Sequence, residues 1–248
     1  VSAVLVSGDF QTGNAFPELR DSNPISMKVV GERRYGYVRW NDFENTQMNI
    51  AGFETFLGRS NTAPGIIIDL RGNGGGLLAL MYTMASYMFP TEKPVSLNWL
   101  DTYLYDDVTR KWVTAPEGVV RSVSAPRPEL AYTGKVVVLV DGDSASSAEF
   151  FSQFLQYKGR AVVIADSGTD GAGGTIRSVT LPGGFGFTYT GGRMYFAGTR
   201  EVNLEGKGVT ADVRVPINDD YVRRRHGGED VVLAAAIKYL DKNAPKEP

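Results

Sequence analysis

The chain has 248 residues, which is long enough to bury one large core, or one domain with a small lobe. Its composition, 42% hydrophobic and 22% charged, is ordinary for a globular protein and argues against wholesale disorder. A net charge of −2 supplies no basic field for nucleic acid, the lack of cysteine excludes disulfides and thiolate metal sites, and one histidine without an H-E-x-x-H pattern argues against a zinc peptidase.

Strand and helix patterns alternate up to about residue 165. Strands are predicted at 35–40, 65–70, 95–105, 136–140 and 161–165. Helices are predicted at 48–57, 77–89 and 147–157, and a loop-rich stretch at 106–130. This alternation is typical of βαβ units around a largely parallel sheet.

The distal part of the chain has a different pattern. Three alternating segments punctuated by glycine, typical of antiparallel ribbons, lie at 175–181, 186–190 and 193–197. An amphipathic helix is predicted over 229–240, and the tail 243–248 is expected to fray.

A glycine-rich turn, R-G-N-G-G-G at 71–76, follows the predicted strand 65–70. Glycines at this place let the backbone turn tightly and point bare N–H groups at a bound atom. A phosphate cradle has similar ingredients, but neither a Gly-Lys-Ser/Thr ending nor G-x-G-x-x-G spacing is present. An ordinary tight turn before a helix is the alternative.

A serine-rich turn, D-S-A-S-S-A-E at 143–149, follows the predicted strand 136–140. A serine between a buried strand and a helix start can project its hydroxyl beside the first free N–H groups of the helix, where the helix dipole favours negative charge. Acyl-transfer enzymes need a nucleophile next to such donors. The alternative is an ordinary N-cap, which Ser144 or Ser146 could supply. The two turns would share an edge of the sheet if their strands are neighbours.

Several segments, in order, resemble the C-terminal processing (tail-specific) serine peptidases, whose superfamily also includes the tricorn protease core and the interphotoreceptor retinoid-binding protein. They are G-Y-V-R-W at 36–40, D-L-R-G-N-G-G-G at 69–76, S-A-S-S-A-E at 144–149, G-R-A-V-V-I at 159–164 and G-K-G-V-T-A-D at 206–212. The last has alanine where the family has proline. The resemblance implies an α/β fold with a ClpP/crotonase-like βαβ spiral core, a mixed, largely parallel sheet and an antiparallel distal portion.

The resemblance also implies a serine-type endopeptidase and the positions of its site residues. Ser146 matches the nucleophile, and the backbone N–H groups of Gly74 or Gly75 and of Ser147 match the oxyanion donors. Glu205 matches the glutamate of the tricorn-like branch, where it orients a histidine. Without the resemblance, Glu205 is equally well a carboxylate of a surface loop.

The general base is the part of the family pattern that this sequence lacks. Tail-specific members use a lysine in a T-x-G-K-G segment, and that position is Ala172 here; the family's accessory aspartate falls on Tyr157. Two departures at linked positions favour the tricorn-like branch, whose histidine lies N-terminal to the part seen here, although an engineered lysine-to-alanine change would look the same. His226 is predicted to be an exposed loop residue, and Lys207 would need burial to act as a base.

We expect residues 31–248 to form the peptidase core, and residues 1–30 to be a linker or the remnant of a preceding, PDZ-like domain. The N-terminal sequence has no signal-peptide pattern, so we expect a core cut or processed from a longer protein. The resemblance implies an extracytoplasmic location, periplasmic or secreted. A cytoplasmic location is the alternative, because the tricorn protease is cytosolic.

We expect a protein or peptide substrate, no cofactor or metal and no nucleic acid. A membrane span is not expected, since no apolar stretch approaches roughly 20 residues; a homo-oligomer stays open. The rival class is an inactive homologue that binds a peptide or an apolar ligand, as the retinoid-binding relatives do. Methionine and aromatic residues crowd the helix 77–89, although such a stripe is more often core packing. Ala172 fits an inactive scaffold, whereas Ser146, Glu205 and the glycine turn together favour an enzyme.

Overall fold

A six-stranded sheet forms the centre of the protein. The computed structural model describes residues 25–89, 94–97, 99–114 and 122–245. The strands lie in the order β1 (Ile25–Val30), β2 (Tyr35–Trp40), β3 (Gly65–Asp69), β8 (Lys135–Leu139), β9 (Ala161–Ala165) and β13 (Val213–Arg214). Strand β1 is antiparallel to β2, and the remaining neighbours are parallel. The predicted mixed, largely parallel sheet is confirmed.

Helices cover both faces of this sheet, which is why its central strands are apolar along their whole length. Ile66 and Ile68 face a large core shared with three helices, α1 (Thr46–Ser60), α2 (Leu78–Ser86) and α3 (Ser147–Tyr157). Ile67 faces a second core shared with α5 (Val231–Asn243). The methionines of α2 are buried in the first core, so the stripe on this helix is core packing.

The helix boundaries differ from the prediction at several ends. Helix α1 begins earlier than expected because the side chain of Asn45 accepts the N–H of Met48. Helix α5 begins at Val231, after its N-cap Asp230, and continues to Asn243, so residue 243 is helical. The predicted tail beyond residue 245 lies outside the described residues. No helix in the described part of the chain is both long and apolar enough to cross a bilayer.

One helix was missed. Helix α4 spans Asp219–His226, with Asn218 as its N-cap and basic residues in its last turn, which suits the negative end of the helix dipole. The prediction that His226 lies in a loop was therefore wrong, although the side chain is exposed as expected.

A smaller antiparallel region accompanies the sheet. Strand β5 (Leu100–Asp106) lies between β6 (Lys111–Thr114) and β12 (Gly192–Phe196), and β10 (Ile176–Thr180) pairs with β11 (Gly186–Thr190) as a two-stranded ribbon. A short pair joins β4 (Val95–Ser96) to β7 (Ser122–Val123). The predicted antiparallel distal portion is confirmed. The predicted loop 106–130 was wrong in part, because it contains β6, β7 and a 3-10 helix at Pro128–Leu130.

The segment predicted to be a linker or domain remnant overlaps the sheet at its end. Residues 25–30 form β1, whose register with β2 runs from Ile25 opposite Trp40 to Val30 opposite Tyr35. These six residues therefore belong to the sheet. Residues 1–24 lie outside the described residues, and their origin in a preceding domain stays a prediction.

Candidate active site

The glycine turn and the serine turn lie side by side at the carboxyl edge of the sheet. Strand β3 pairs in parallel with β8, with Asp69 opposite Leu139, and each turn begins just after its strand. The N–H of Ala145 in the serine turn donates to the carbonyl oxygen of Asn73 in the glycine turn at 2.9 Å. The two predicted chemical segments therefore share one edge.

Ser146 occupies a strained position between β8 and α3. Its backbone has φ +52° and ψ −119°, a region that costs about 1–3 kcal/mol for a residue with a side chain. Among the described residues, the other non-glycine residues with positive φ are Arg34 and Arg110, which lie in turns between adjacent antiparallel strands. In α/β-hydrolases, a strained turn from strand to helix presents the nucleophilic hydroxyl.

Gly75 packs directly against this serine. Its φ is +98°, and a Cβ added to it would lie 2.7 Å from Ser146 Cβ and 2.8 Å from Ser147 N, closer than such atoms can approach. The turn therefore requires glycine at this position for its conformation and for the close approach. Around Gly74 the space is open.

The N–H groups of the two candidate glycines differ. Gly75 N–H donates to Asn73 Oδ1 at 2.8 Å, so it is already used. Within the described residues, no hydrogen bond occupies the N–H of Gly74 or that of Ser147. Ser147 is the first residue of α3, where helix N–H groups lack an intrahelical partner. Gly74 and Ser147 thus have donors to offer to an anion.

Glu149 is a site residue whose role sequence reasoning missed. Its carboxylate is fully buried in the first turn of α3. It accepts the N–H groups of Ser146 at 3.0 Å, residue 171 at 2.8 Å and Ala172 at 2.9 Å, as well as the hydroxyl of Thr169. The S-x-x-E spacing from Ser146 to Glu149 is that of a capping box, which was the available signal.

A second carboxylate joins the two turns. Asp141 Oδ1 accepts the N–H of Gly72 at 2.8 Å and lies 3.2 Å from Ser144 Oγ. Burial raises the pKa of Asp141, against the hydrogen bonds that favour its charged form. Ser144 is fully buried, and its hydroxyl also lies 2.9 Å from the carbonyl oxygen of Leu70. Ser144 therefore holds the turn together, which leaves Ser146 as the serine of interest.

A buried ion cluster lies at the start of the glycine turn. The guanidinium of Arg71 contacts Asp69 and Asp230, each with a shortest N–O distance of 2.6 Å. Burial alone would raise the pKa of Asp69, but the charges of Arg71 and Arg39 and hydrogen bonds from Arg71 and Tyr37 outweigh it and hold that pKa well below its usual range. The cluster fixes the start of the turn to the N-terminus of α5.

Glu205 lies in a loop that packs against residues 171–174. Its Oε1 accepts the hydroxyl of Thr190 at 2.8 Å, and its Oε2 is buried with no hydrogen-bond partner among the described residues. Gly206 N–H donates to the carbonyl oxygen of Gly171 at 2.8 Å. The hydrogen-bonded link from Glu205's loop to Ser146 therefore runs through residue 171 and Glu149.

The candidate bases within the chain are poorly suited. Ala172 stands at the lysine position and contributes only its N–H. Lys207 has an exposed ammonium that contacts the carbonyl oxygen of Val202 and the carboxylate of Glu201. His226 is exposed at the end of α4. Among the described residues, no group of three acidic, histidine or cysteine side chains is placed to hold a metal ion.

Comparison with known proteins identifies the family. The sequence model of Peptidase family S41 matches residues 34–215, well over half of the chain. The chain belongs to peptidase family S41. The predicted resemblance to the tail-specific serine peptidases is thereby confirmed. The family places the chain among the serine peptidases, a class of hydrolases.

Solved structures support the S41 fold. The chain is similar to mature CPAF complexed with lactacystin (TM-score 0.70, 15% identity), to the photosystem II D1 C-terminal processing protease (0.56, 22%) and to the tricorn protease (0.54, 22%). The matches cover 88%, 85% and 83% of this chain, and 54%, 54% and 17% of those chains. The present chain thus spans about half the length of the CPAF chain and of the D1 processing protease chain.

Proposed function

We propose that this S41 chain is the catalytic core of a serine endopeptidase in which Ser146 is the nucleophile. The observation that carries the proposal is the strained Ser146 turn, packed against Gly75, together with the N–H groups of Gly74 and Ser147, which no hydrogen bond among the described residues occupies. Strain at one residue persists only where its surroundings hold it, and such sites are concentrated in active sites. Here Glu149 and the glycine turn supply those surroundings.

The chemistry follows from this arrangement. Ser146 Oγ attacks the scissile carbonyl carbon and passes its proton to the base, while the N–H groups of Gly74 and Ser147 stabilise the oxyanion. The base then protonates the leaving amine, and water hydrolyses the acyl-enzyme. Each oxyanion donor contributes roughly 10²–10³ in rate. We favour Gly74 over Gly75 because Gly75 already donates to Asn73.

The base in this proposal is a histidine N-terminal to the core, oriented by Glu205. The support is Glu205 Oε2, a buried carboxylate oxygen without a partner among the described residues. Such an oxygen is costly to leave unpaired, and an imidazole N–H would satisfy it. Lys207 does not compete for this role, because its ammonium is exposed.

The proposed substrate is a polypeptide. We also propose that the protein acts outside the cytoplasm and that it forms a homo-oligomer. The second candidate function is an inactive homologue that binds a peptide or an apolar ligand. It is favoured by one observation, that Ala172 stands where tail-specific members carry lysine.

Peptide hydrolysis by the full-length protein tests the proposal. A peptide library digested by the wild type and read by mass spectrometry should show cleavage that Ser146→Ala abolishes. The matched control Ser124→Ala, at an exposed serine, should cleave like the wild type. Cleavage that persists in Ser146→Ala would reject Ser146 as the nucleophile. A full-length wild type that binds peptides but cleaves none would favour the inactive homologue.

A further inference from the structure

The ribbon formed by β10 and β11 has one apolar and one polar face. Residues opposite each other in an antiparallel pair point to the same face, and the register pairs Val179 with Phe187 and Arg177 with Tyr189. Beyond the strands, Leu181 N–H donates to the carbonyl oxygen of Phe185, so the pairing continues. We call the set Val179, Leu181, Phe185, Phe187 and Tyr189 the apolar ribbon face. Apart from Ile176, the opposite face carries serine, threonine and glycine.

Four of the five side chains of the apolar ribbon face are exposed to solvent, and Val179 is half-buried. Phe185 is 74% exposed, Phe187 51%, Leu181 44% and Tyr189 42%. Apolar faces of antiparallel sheets normally pack on a core, and contiguous exposed apolar patches mark interaction sites. In the part of the chain that the structure describes, the ribbon has two strands and no third strand on either outer edge. Backbone groups on those edges are therefore free to pair with an added strand.

The charge pattern indicates what kind of partner fits. Residues 178–192 contain no aspartate, glutamate, lysine or arginine, and Arg177, which lies on the apolar side of β10, is paired with Asp107. Exposed sheet edges are usually protected by charged side chains, and this ribbon has none along that stretch. An extended polypeptide segment with apolar, uncharged side chains is the complementary partner, since its side chains match the face and its backbone matches the edge.

The ribbon is also continuous with the candidate active site. Thr190, at the end of β11 and on the face opposite the apolar ribbon face, donates its hydroxyl to Glu205, and β10 begins four residues after Ala172, which is bonded to Glu149. Because Ile176 and Thr190 are paired, these contacts join the base of the ribbon to the segments that carry Ala172 and Glu205. A polypeptide that binds along the ribbon toward its base approaches the segment of Ala172, which Glu149 links to Ser146, whereas a contact between two copies of the chain needs no such connection.

We propose that the β10–β11 ribbon is a substrate-binding arm that recognises apolar side chains in an extended polypeptide. This rests on the proposed function, because it names the substrate class of the same site. Specificity then comes from the ribbon, while the turn at Ser146 carries the chemistry.

Peptide binding by the full-length Ser146→Ala protein tests the arm without any cleavage. The probes are a fluorescein-labelled dodecapeptide of leucine, valine and alanine with lysine ends, and a matched peptide with serine and asparagine in their place. Fluorescence anisotropy should show that Phe187→Ser raises Kd for the apolar probe about tenfold, because one half-exposed aromatic contact is lost. The conservative variant Phe187→Leu should restore most of the binding. The matched control Ile176→Ser, on the opposite face, should change Kd less than about twofold.

Two results would overturn the arm. One is an unchanged Kd in Phe187→Ser. The other is a wild-type dimer in sedimentation that Phe187→Ser dissociates without weakening the probe, which assigns the face to a second copy. Anisotropy needs no cleavage, so the two proposals can fail separately. Ribbon-dependent binding by Ser146→Ala, together with a full-length wild type that hydrolyses no peptide, would contradict the proposed function and leave the binding surface supported.

Discussion

The carboxylate of Glu149 accepts the backbone N–H of Ser146 at 3.0 Å and the backbone N–H of Ala172 at 2.9 Å. The same side chain therefore holds the strained serine and the residue that stands where tail-specific peptidases carry their lysine. A buried carboxylate with several N–H and O–H donors is well compensated for its lost hydration. We infer that Glu149 positions Ser146 relative to the segment beyond residue 169.

Glu149→Gln should destabilise the protein and lower the reactivity of Ser146. Each carboxylate oxygen of Glu149 faces two donors, so the NH₂ group of a glutamine would face donors and leave them unpaired. The expected loss in the free energy of unfolding is about 2–4 kcal/mol. Urea unfolding of the full-length protein measures it. Glu201→Gln, at an exposed carboxylate, should stay within about 0.5 kcal/mol of the wild type; equal stability of Glu149→Gln and wild type would contradict the positioning role.

Gly75→Ala should displace the serine turn. The added Cβ would meet Ser146 Cβ at 2.7 Å, and alanine disfavours φ +98°. We expect a loss of at least about 10² in kcat/KM for peptide hydrolysis, since small misplacements at a reacting group are costly. Gly58→Ala is the matched control, because its Cβ meets nothing within 4 Å in helix α1. It should keep full activity and gain about 0.5–1 kcal/mol in stability. Similar kcat/KM values for the two variants would show that the turn tolerates the clash.

Much of this fold could be predicted from the sequence because its signals are local. The apolar runs at 65–70 and 136–140 predict buried strands, and the glycine and serine turns follow them directly. Helix α4 was missed because it is strongly polar and short, so no apolar periodicity indicates it.

The support of the site was harder to predict because it depends on contacts between distant residues. Arg71 and Asp230 are 159 positions apart, and no spacing in the sequence relates them. Glu149 did carry a local signal, its capping-box distance from Ser146, but that signal indicates a helix start rather than a contact with residues 171 and 172. Ser146 itself was predicted as a nucleophile from the family pattern, whereas its positive φ required the structure.

Asp69→Asn should reveal a pH-dependent contribution to stability. The pKa of Asp69 is lowered in the folded protein from its usual 3.8, because the Arg71 and Arg39 charges outweigh its burial. A lowered pKa contributes stability that is present above about 3.8 and is lost as the pH falls toward the folded-state pKa. The variant should lose about 3 kcal/mol at pH 7, and the difference from the wild type should shrink at about pH 3 or below.

Urea unfolding at both pH values measures this effect. Asp107→Asn is the control, since Asp107 pairs with Arg177 at the surface. Its effect should be below about 1 kcal/mol at either pH. A difference between Asp69→Asn and the wild type that stays constant down to pH 3 would show that the Asp69 charge does not stabilise the fold.

The most direct test of Ser146 as the nucleophile is intact-mass analysis of the full-length protein after treatment with a fluorophosphonate. We predict one phosphonyl adduct per chain, located by peptide mapping at Ser146 and absent in Ser146→Ala. An adduct that persists in Ser146→Ala, or a full-length wild type that stays unmodified while it cleaves peptides, would contradict the assignment.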